Sequence, residues 1–354
     1  MALCGTALNR NVIVLVTWME SVGVAWPATF VGLFLAASVA LIWRLQSLAS
    51  QGWEGTALGT LVMPYFSGLG NLVFVYVMGR KGGSGSEVMI NSLVNNVTSL
   101  TLLIGLPALI WGMGVVPRGK VKKAELAQSR LDRLSLLMTL GAVMFFSGIV
   151  WALAYDGDLD FGDGLVLIAL FLFWQCFQVF DVLKGNVRNN RSFSWLWVLD
   201  LVLILICAWL VYISIDWLVA WMQGIESGFF SAAHLGWISG WLMVVPNAML
   251  AFYYGWKKQS DIVYSSQVGD AHVCIPLCLG VYALFQDIVV PPFFDMGIAL
   301  LAGTALLHGL TLLTLGRLPR WMGWLLVAAY GWFVYQGLDL SPGENEFDLL
   351  NGDF

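Results

Sequence analysis

The sequence predicts an all-α membrane protein with about ten transmembrane helices. Hydrophobic residues make up 59% of the 354 residues and charged residues only 11%, against about 45 to 50% and about 25% in an average soluble domain. The charges are clustered, so uncharged stretches such as 21–43, 55–79 and 227–256 exceed the roughly 20 residues that cross a bilayer as a helix. The alternating segments of about 10 residues that a membrane barrel requires are missing from the sequence.

Apolar runs between the charge clusters define the individual spans. In chain order they are predicted at 21–43, 55–79, 88–115, 134–155, 162–183, 194–221, 227–255, 262–286, 293–315 and 321–338. The first cation is Arg10, so no basic segment precedes an apolar stretch and we expect no cleaved signal. Residues 341–354 follow the last span and are acidic, which predicts a disordered tail.

The basic residues predict an orientation in the membrane. Of the 17 Lys and Arg residues, 14 fall in the odd-numbered connections, which follow spans 1, 3, 5, 7 and 9, and three fall elsewhere. The positive-inside rule therefore places both termini outside. We expect a multi-pass protein of a bacterial inner (plasma) membrane, with the lipid bilayer as its surroundings and no nucleic-acid partner.

An internal repeat relates the two halves of the chain. At an offset of about 175 residues, Gly70-Asn71 meets Pro246-Asn247, and the stripe Asn91, Asn95, Ser99 meets Ser266, Asp270, Cys274. Ile104-Gly105 likewise meets Leu279-Gly280. We assign residues 1–185 to the first repeat with its N-terminal segment and residues 186–340 to the second.

Five helices per repeat is an odd number, so the two repeats are predicted to lie upside down relative to each other. Inverted repeats are typical of secondary transporters, whose sites lie near the bilayer midplane at broken helices. Ser67-Gly68-Leu69-Gly70-Asn71 is predicted to break span 2, and Val245-Pro246-Asn247 is predicted to break span 7.

These motifs resemble the sodium/calcium exchanger membrane region of the cation/calcium exchanger superfamily, of which the chain looks like a divergent member. The family carries a GTSLPE-like break and a GNxxGSNxxN-like helix in each repeat. In this chain the second helix motif corresponds to residues 91–99 in the first repeat and to residues 265–271 in the second. The resemblance implies exchange of sodium or protons for calcium by alternating access. Our hypothesis is that spans 1 and 6 rock against the other helices.

The chain departs from the family at positions that matter chemically. Asn71 and Asn247 stand where the family has glutamates, and Ser99 and Cys274 stand where it has a later Asn or Asp. Calcium takes six to eight oxygens, usually several from carboxylates. A site of amides and hydroxyls with one carboxylate, Asp270, suits a monovalent ion or a proton better.

The candidate site consists of polar residues inside apolar spans. Asp270 is costly in a bilayer unless it is paired or wetted, and Asn91, Asn95 and Ser99 share one helix face. The ion-binding candidates are Asn71, Asn91, Asn95, Ser99, Asn247, Ser266 and Asp270. The secondary candidates are Ser67, Glu87, Asn96, Asp261, His272 and Cys274.

Each candidate also has a structural interpretation. Asparagines join helices in membranes by hydrogen bonds, and Glu87 and Asp261 lie where carboxylates stabilise helix N-termini. His272 could pass a proton to Asp270 but lies two residues away, on another face. Cys274 could equally be a small apolar residue.

We therefore predict a secondary-active cation antiporter that carries sodium, protons or calcium and has no cofactor or metal beyond its transported ion. The alternative is a membrane protein that kept the transporter fold, lost ion exchange and acts as a scaffold or regulator. An enzyme is not expected, because the scattered histidines and one midmembrane aspartate form no nucleophile–base pair or metal triad.

Overall fold

The computed structural model of the chain describes residues 26–48, 68–115, 123–185 and 196–339, together with Thr17, Met19, Ser21, Gly23 and Tyr65. The predicted acidic tail lies outside these residues.

The described chain is almost entirely helical. Its helices are α1 (Pro27–Leu48), α2 (Leu69–Lys81), α3 (Gly85–Leu100), α4 (Leu102–Trp111), α5 (Lys123–Leu153), α6 (Phe161–Gly185), α7 (Leu196–Gln223), α8 (Leu235–Trp256), α9 (Ser260–Val273), α10 (Leu279–Ala283), α11 (Phe294–Leu315) and α12 (Arg320–Asp339). A π-helical turn, Cys274–Cys278, joins α9 to α10. The strands are β1 (Met113–Gly114), β2 (Asp158–Leu159), β3 (Ile288–Val289) and β4 (Arg317–Leu318).

A helix occupies each of the ten predicted spans. Helices α3 and α4 together form span 3, and α9, the π turn and α10 form span 8. Among the described residues, seven helical segments are long and apolar enough to cross a membrane by themselves. The all-α membrane fold is thus confirmed. Three predicted spans are outside that group. They are span 2, of which the structure describes only the 13-residue α2, span 8, which is more polar, and span 10, which is α12.

Helices α1 and α7, the first of each repeat, run antiparallel. Near the start of α1, the Phe30 ring stacks on Trp217 near the end of α7, with ring centroids 4.2 Å apart. Near the end of α1, Arg44 pairs with Asp200 at the start of α7 at 3.2 Å. Equivalent helices that run in opposite directions are what inverted repeats produce.

The other helix contacts obey the same two-fold relation. The packing of α3 against α11 is repeated by α9 against α5, and that of α4 against α12 is repeated by α10 against α6. The two antiparallel ribbons follow suit, because β1 pairs with β4 and β2 pairs with β3. One ribbon lies in the loops at each end of the helix bundle.

Two pairs of glycines explain why Gly105 and Gly280 match in the repeat. A methyl group on Gly323 would lie 2.7 Å from the Gly105 carbonyl oxygen, and one on Gly164 would lie 2.9 Å from the Gly280 carbonyl oxygen. Small residues let helix backbones approach this closely in membranes. Each repeat therefore needs glycine at the crossing of its middle helix.

The structure corrects the predicted position of one helix break. Tyr65 is helical and α2 begins at Leu69, directly after Gly68, which agrees with a break there. In contrast, α8 continues through Pro246 without interruption. A proline in a helix removes one hydrogen bond, here to the Leu242 carbonyl, and neighbouring helices in a membrane can support the continuous helix.

Spans 3 and 8 are interrupted instead, at matched positions. Span 3 departs from α-helical backbone geometry at Thr101, and span 8 does so in the π turn that contains Pro276. The buried ring of His308 on α11 bonds to the Leu100 carbonyl at the first interruption, with Nε2 and oxygen 2.9 Å apart. Irregular backbone at this depth is thus held by side chains from neighbouring helices.

Candidate ion-binding site

A small cavity lies where α1 and α7 meet α2 and α8. Its volume open to the centre of a water-sized sphere is about 30 Å³. About 10 to 15 Å³ by this measure holds one water, so the cavity has room for two or three particles of that size. The residues that line it are Phe34, Ser38, Leu41, Ile42, Leu69, Gly70, Asn71, Val211, Met243, Pro246 and Asn247.

The cavity brings together the two asparagines that the repeat comparison matched. Asn71 lies in the first turn of α2 and is 5% exposed, and Asn247 follows Pro246 in α8 and is 9% exposed. The Asn71 Oδ1 atom is buried without a hydrogen-bond partner. Gly70 allows this approach, because a methyl group there would lie 2.7 Å from the Met243 sulfur of α8.

The polar face of α3 lies in the core of the bundle. Asn91, Asn95 and Asn96 are fully buried and Ser99 is 1% exposed. Asn91 Nδ2 donates to Ser239 Oγ of α8 at 2.9 Å, and Asn95 Nδ2 donates to Cys274 Sγ at 3.1 Å. These bonds tie α3 to both span 7 and span 8.

Most oxygens on this face have no partner among the described residues. They are Asn91 Oδ1, Asn95 Oδ1, Asn96 Oδ1 and Ser99 Oγ, and Asn96 Nδ2 is unpartnered as well. A buried polar atom without a partner costs about 1 to 3 kcal/mol. Such a group of acceptors is suited to receive a cation or ordered water. The described lining of the small cavity includes none of these α3 side chains.

Gln267 is a candidate residue that the sequence analysis missed. It is fully buried in α9, where Nε2 donates to the Asn247 carbonyl at 3.3 Å and to Ser266 Oγ at 3.1 Å, and Oε1 has no partner. Its distance from Asn91 is 176 residues, the same as that from Asn71 to Asn247. This shared spacing of 176 residues is the feature of the sequence that could have identified Gln267.

Other candidates lie elsewhere or outside the described residues. Asp261 is exposed at the start of α9, and Ser266 is half-buried and bonds to the Val263 carbonyl. Ser67 is not among the described residues, and neither are the side chains of Asp270 and His272, although both residues belong to α9.

Glu87 is buried at the start of α3, but its partner is the first turn of α8. Its carboxylate accepts a hydrogen bond from the Gly236 backbone N–H. The N–H groups of a first helical turn have no acceptor within the helix, and a carboxylate also stabilises the positive end of the helix dipole. Glu87 therefore joins the two helices that carry Asn91 and Asn247.

We expect Glu87→Ala to lower the free energy of unfolding by about 1 to 3 kcal/mol, because the Gly236 N–H would stay buried without its acceptor. Glu87→Gln should lose less, since an amide oxygen can accept the same bond. Thermal unfolding in detergent measures both, with Glu226→Ala in the exposed 224–231 loop as the control. A folded Glu87→Gln protein without cation flux would instead give Glu87 a direct part in transport.

Comparisons with known proteins agree with this fold. A family model described as "Sodium/calcium exchanger protein" matches residues 22–180 and 199–336. No curated protein matches the chain.

Solved structures of the sodium–calcium exchanger NCX_Mj share the fold. The structure soaked with 2.5 mM Na⁺ and 10 mM Sr²⁺ has a TM-score of 0.62 and 19% identity, covering 89% of this chain and 98% of that one. The structure soaked with zero Na⁺ and Ca²⁺ has a TM-score of 0.59 and 18% identity, covering 88% and 98%.

Proposed function

The chain belongs to the sodium/calcium exchanger protein family, and from that premise we propose that it is a secondary-active cation antiporter working by alternating access. We place its ion site at Asn71 and Asn247, with the amides of α3 and Gln267 as the adjoining polar core. Membership of an exchanger family also sets the chain among transport proteins rather than enzymes.

The observation that carries this proposal is the cavity shared by the two repeats. Each repeat supplies one buried asparagine to it, from corresponding places in α2 and α8. In inverted-repeat transporters, substrate sites lie at the interface of the repeats. The two repeats are inverted relative to each other and contribute equivalent residues to this site. The same helix motion, made in opposite directions, can therefore expose the site to one side of the membrane or the other.

The ion pairs of α7 support a moving unit formed by α1 and α7. Asp200 binds Arg44 within that pair of helices. Asp216, at the other end of α7, binds Lys81 and Arg80 of α2 at 3.0 and 3.6 Å. If α1 and α7 move together against α2 and α8, the first ion pair is kept and the second must break.

Ion flux in vesicles tests the proposed function. The purified protein, reconstituted in liposomes, should release a preloaded cation faster when a counter-cation is supplied outside than when none is. Sodium, potassium, calcium and proton gradients should be imposed in turn. Flux equal to that of protein-free liposomes for every pair of ions would contradict the proposal and favour the scaffold role.

We expect Asp216→Asn to weaken the ion pairs that hold α7 to α2. Partly exposed ion pairs contribute about 0.2 to 1 kcal/mol. The ratio of molecules with α7 separated from α2 to molecules with the two helices in contact should therefore rise by up to about fivefold. Backbone amides at 82–84 and 217–224 should exchange hydrogen faster in the variant. Asp200→Asn, which acts within the moving pair, should leave that exchange unchanged, and equal effects of both variants would contradict the assignment.

A further inference from the structure

The described walls of the cavity contain no charge. Among the described residues that line it, the polar side chains are Ser38, Asn71 and Asn247, and all three are neutral. Their hydroxyl and amide groups do not ionise in the physiological range. These described residues therefore offer oxygen dipoles to a cation but no compensating anion.

The described carboxylates near these helices are engaged elsewhere. Glu87 holds the start of α8 and Asp216 binds Arg80 and Lys81. Asp200 binds Arg44, and Asp261 is exposed. Asp270, whose side chain lies outside the described residues, can add at most one negative charge to the polar core.

Charge therefore limits what the cavity can hold. The free energy of moving an ion from water into a poorly polarisable interior rises with the square of its charge, so it is about fourfold larger for a divalent ion. Neutral carbonyl and amide oxygens suffice for dehydrated monovalent ions, whereas calcium is usually bound by several carboxylates. A single carboxylate would balance a monovalent ion and leave calcium half compensated.

The dimensions of the cavity point the same way. A volume of about 30 Å³ open to a water-sized sphere accommodates one bare ion with one or two waters. The ion must then exchange most of its hydration shell for protein oxygens. The described lining offers a proton no carrier, because neutral amides and hydroxyls are not protonated near pH 7.

We infer that the cavity between Asn71 and Asn247 takes a monovalent metal cation of sodium's size and excludes calcium, and that these two asparagines set this selectivity. The inference rests on the proposed function for its site and deepens it by naming the class of ion. According to this inference, Asn71 and Asn247 determine which ion is bound, and they are not merely what is left of a calcium site.

Binding and flux, measured separately, test the inference. In detergent, sodium chloride should raise the unfolding temperature above that in choline chloride, because a ligand that binds only the folded state stabilises it. Calcium chloride at equal ionic strength should not raise it. In liposomes, sodium flux should persist in a tenfold excess of external calcium, and calcium flux should stay at the protein-free level.

A double substitution reverses the expected selectivity. Asn71→Asp combined with Asn247→Asp keeps the side-chain shape and adds two carboxylates, so calcium should stabilise that protein and inhibit its sodium flux at concentrations at least about tenfold lower than in the unsubstituted protein. The control is Gln175→Glu, which adds a carboxylate at a buried position of α6 that does not line the cavity. A similar gain in calcium sensitivity for that control would overturn the role of the two asparagines.

The outcomes separate the two proposals. Calcium flux or calcium stabilisation equal to that of sodium in the unsubstituted protein would overturn the selectivity and leave the antiporter intact. Sodium stabilisation without any flux would support the site and contradict antiport. Neither stabilisation nor flux with sodium would overturn the inference, and flux at the protein-free level for every pair of ions would overturn the antiporter as well.

Discussion

Replacing Asn247 with leucine is expected to reduce cation flux by about 10- to 100-fold while the protein remains folded. Leucine has the branched shape and the number of heavy atoms of asparagine but replaces the amide by methyl groups, so an ion in the cavity loses one oxygen. A hydrogen-bond-strength contact to a charged group contributes about 1.5 to 3 kcal/mol, and each 1.4 kcal/mol is a factor of ten in affinity. Asn71→Leu should have a similar effect, because the two side chains line the same cavity from equivalent helices.

Initial rates of counter-ion-driven sodium release from liposomes measure this effect, with the amount of reconstituted protein determined for each variant. Met249→Leu is the matched control, since Met249 lies on the same helix and is 53% exposed. Size-exclusion chromatography in detergent establishes that the variants are folded. Full flux in both the Asn71→Leu and the Asn247→Leu protein would contradict the proposal that the transported ion binds in this cavity.

Replacing Gly236 with valine is expected to prevent stable folding. A methyl group at Gly236 would lie 2.5 Å from the Glu87 carbonyl oxygen and 2.7 Å from Ile90 Cβ. Gly240, one turn later on α8, meets Val94 of α3 in the same way at 2.8 Å. Two glycines four residues apart thus allow α8 to lie directly on α3.

Because the first obstacle is backbone, valine cannot be relieved by a side-chain rotation alone. The two helices must separate, which also breaks the bond from Gly236 to Glu87. Overpacking of this kind costs about 3 kcal/mol or more when backbone must shift. We expect the yield of monodisperse protein to collapse and any remaining protein to unfold at a lower temperature.

Gly309→Ala on α11 is the control, because a methyl group there would meet no atom within 4 Å. It should be neutral or slightly stabilising, since alanine favours helix over glycine. The smaller change Gly240→Ala should yield folded protein with reduced flux, because it displaces the α3 backbone near Asn91. An unfolding temperature for Gly236→Val equal to that of Gly309→Ala would contradict the close crossing.

Several features of the site could be found in the sequence because they are local or repeated. The positions of the spans follow from hydropathy, since each apolar segment must satisfy its own backbone in the bilayer. The equivalence of Asn71 and Asn247 follows from the offset between the halves, and the two are found in one cavity. Gln267 stood at the same spacing from Asn91 and was overlooked because it matched by spacing and not by residue type.

Other features depend on contacts between residues far apart in the chain. Pro246 has the composition of a helix break, yet α8 continues through it, whereas Thr101 and Cys274–Cys278 interrupt helices that the sequence predicts to be regular. Glu87 has the sequence position of a cap for its own helix, yet it binds Gly236, 149 residues away. A local sequence pattern predicts neither of these results.

The sequence by itself thus determined an all-α membrane fold, ten spans and two matched asparagines, because hydropathy and internal repetition act along the chain. Only the tertiary structure decided that the asparagines meet in one cavity whose described lining is uncharged. It also decided that the described carboxylates around this cavity are exposed or engaged with Gly236, Arg44, Arg80 and Lys81, and that glycines set the helix spacing. The physical reason is that a side chain's charge balance and packing depend on neighbours brought together by folding, and span-by-span hydropathy contains no information about which neighbours those are.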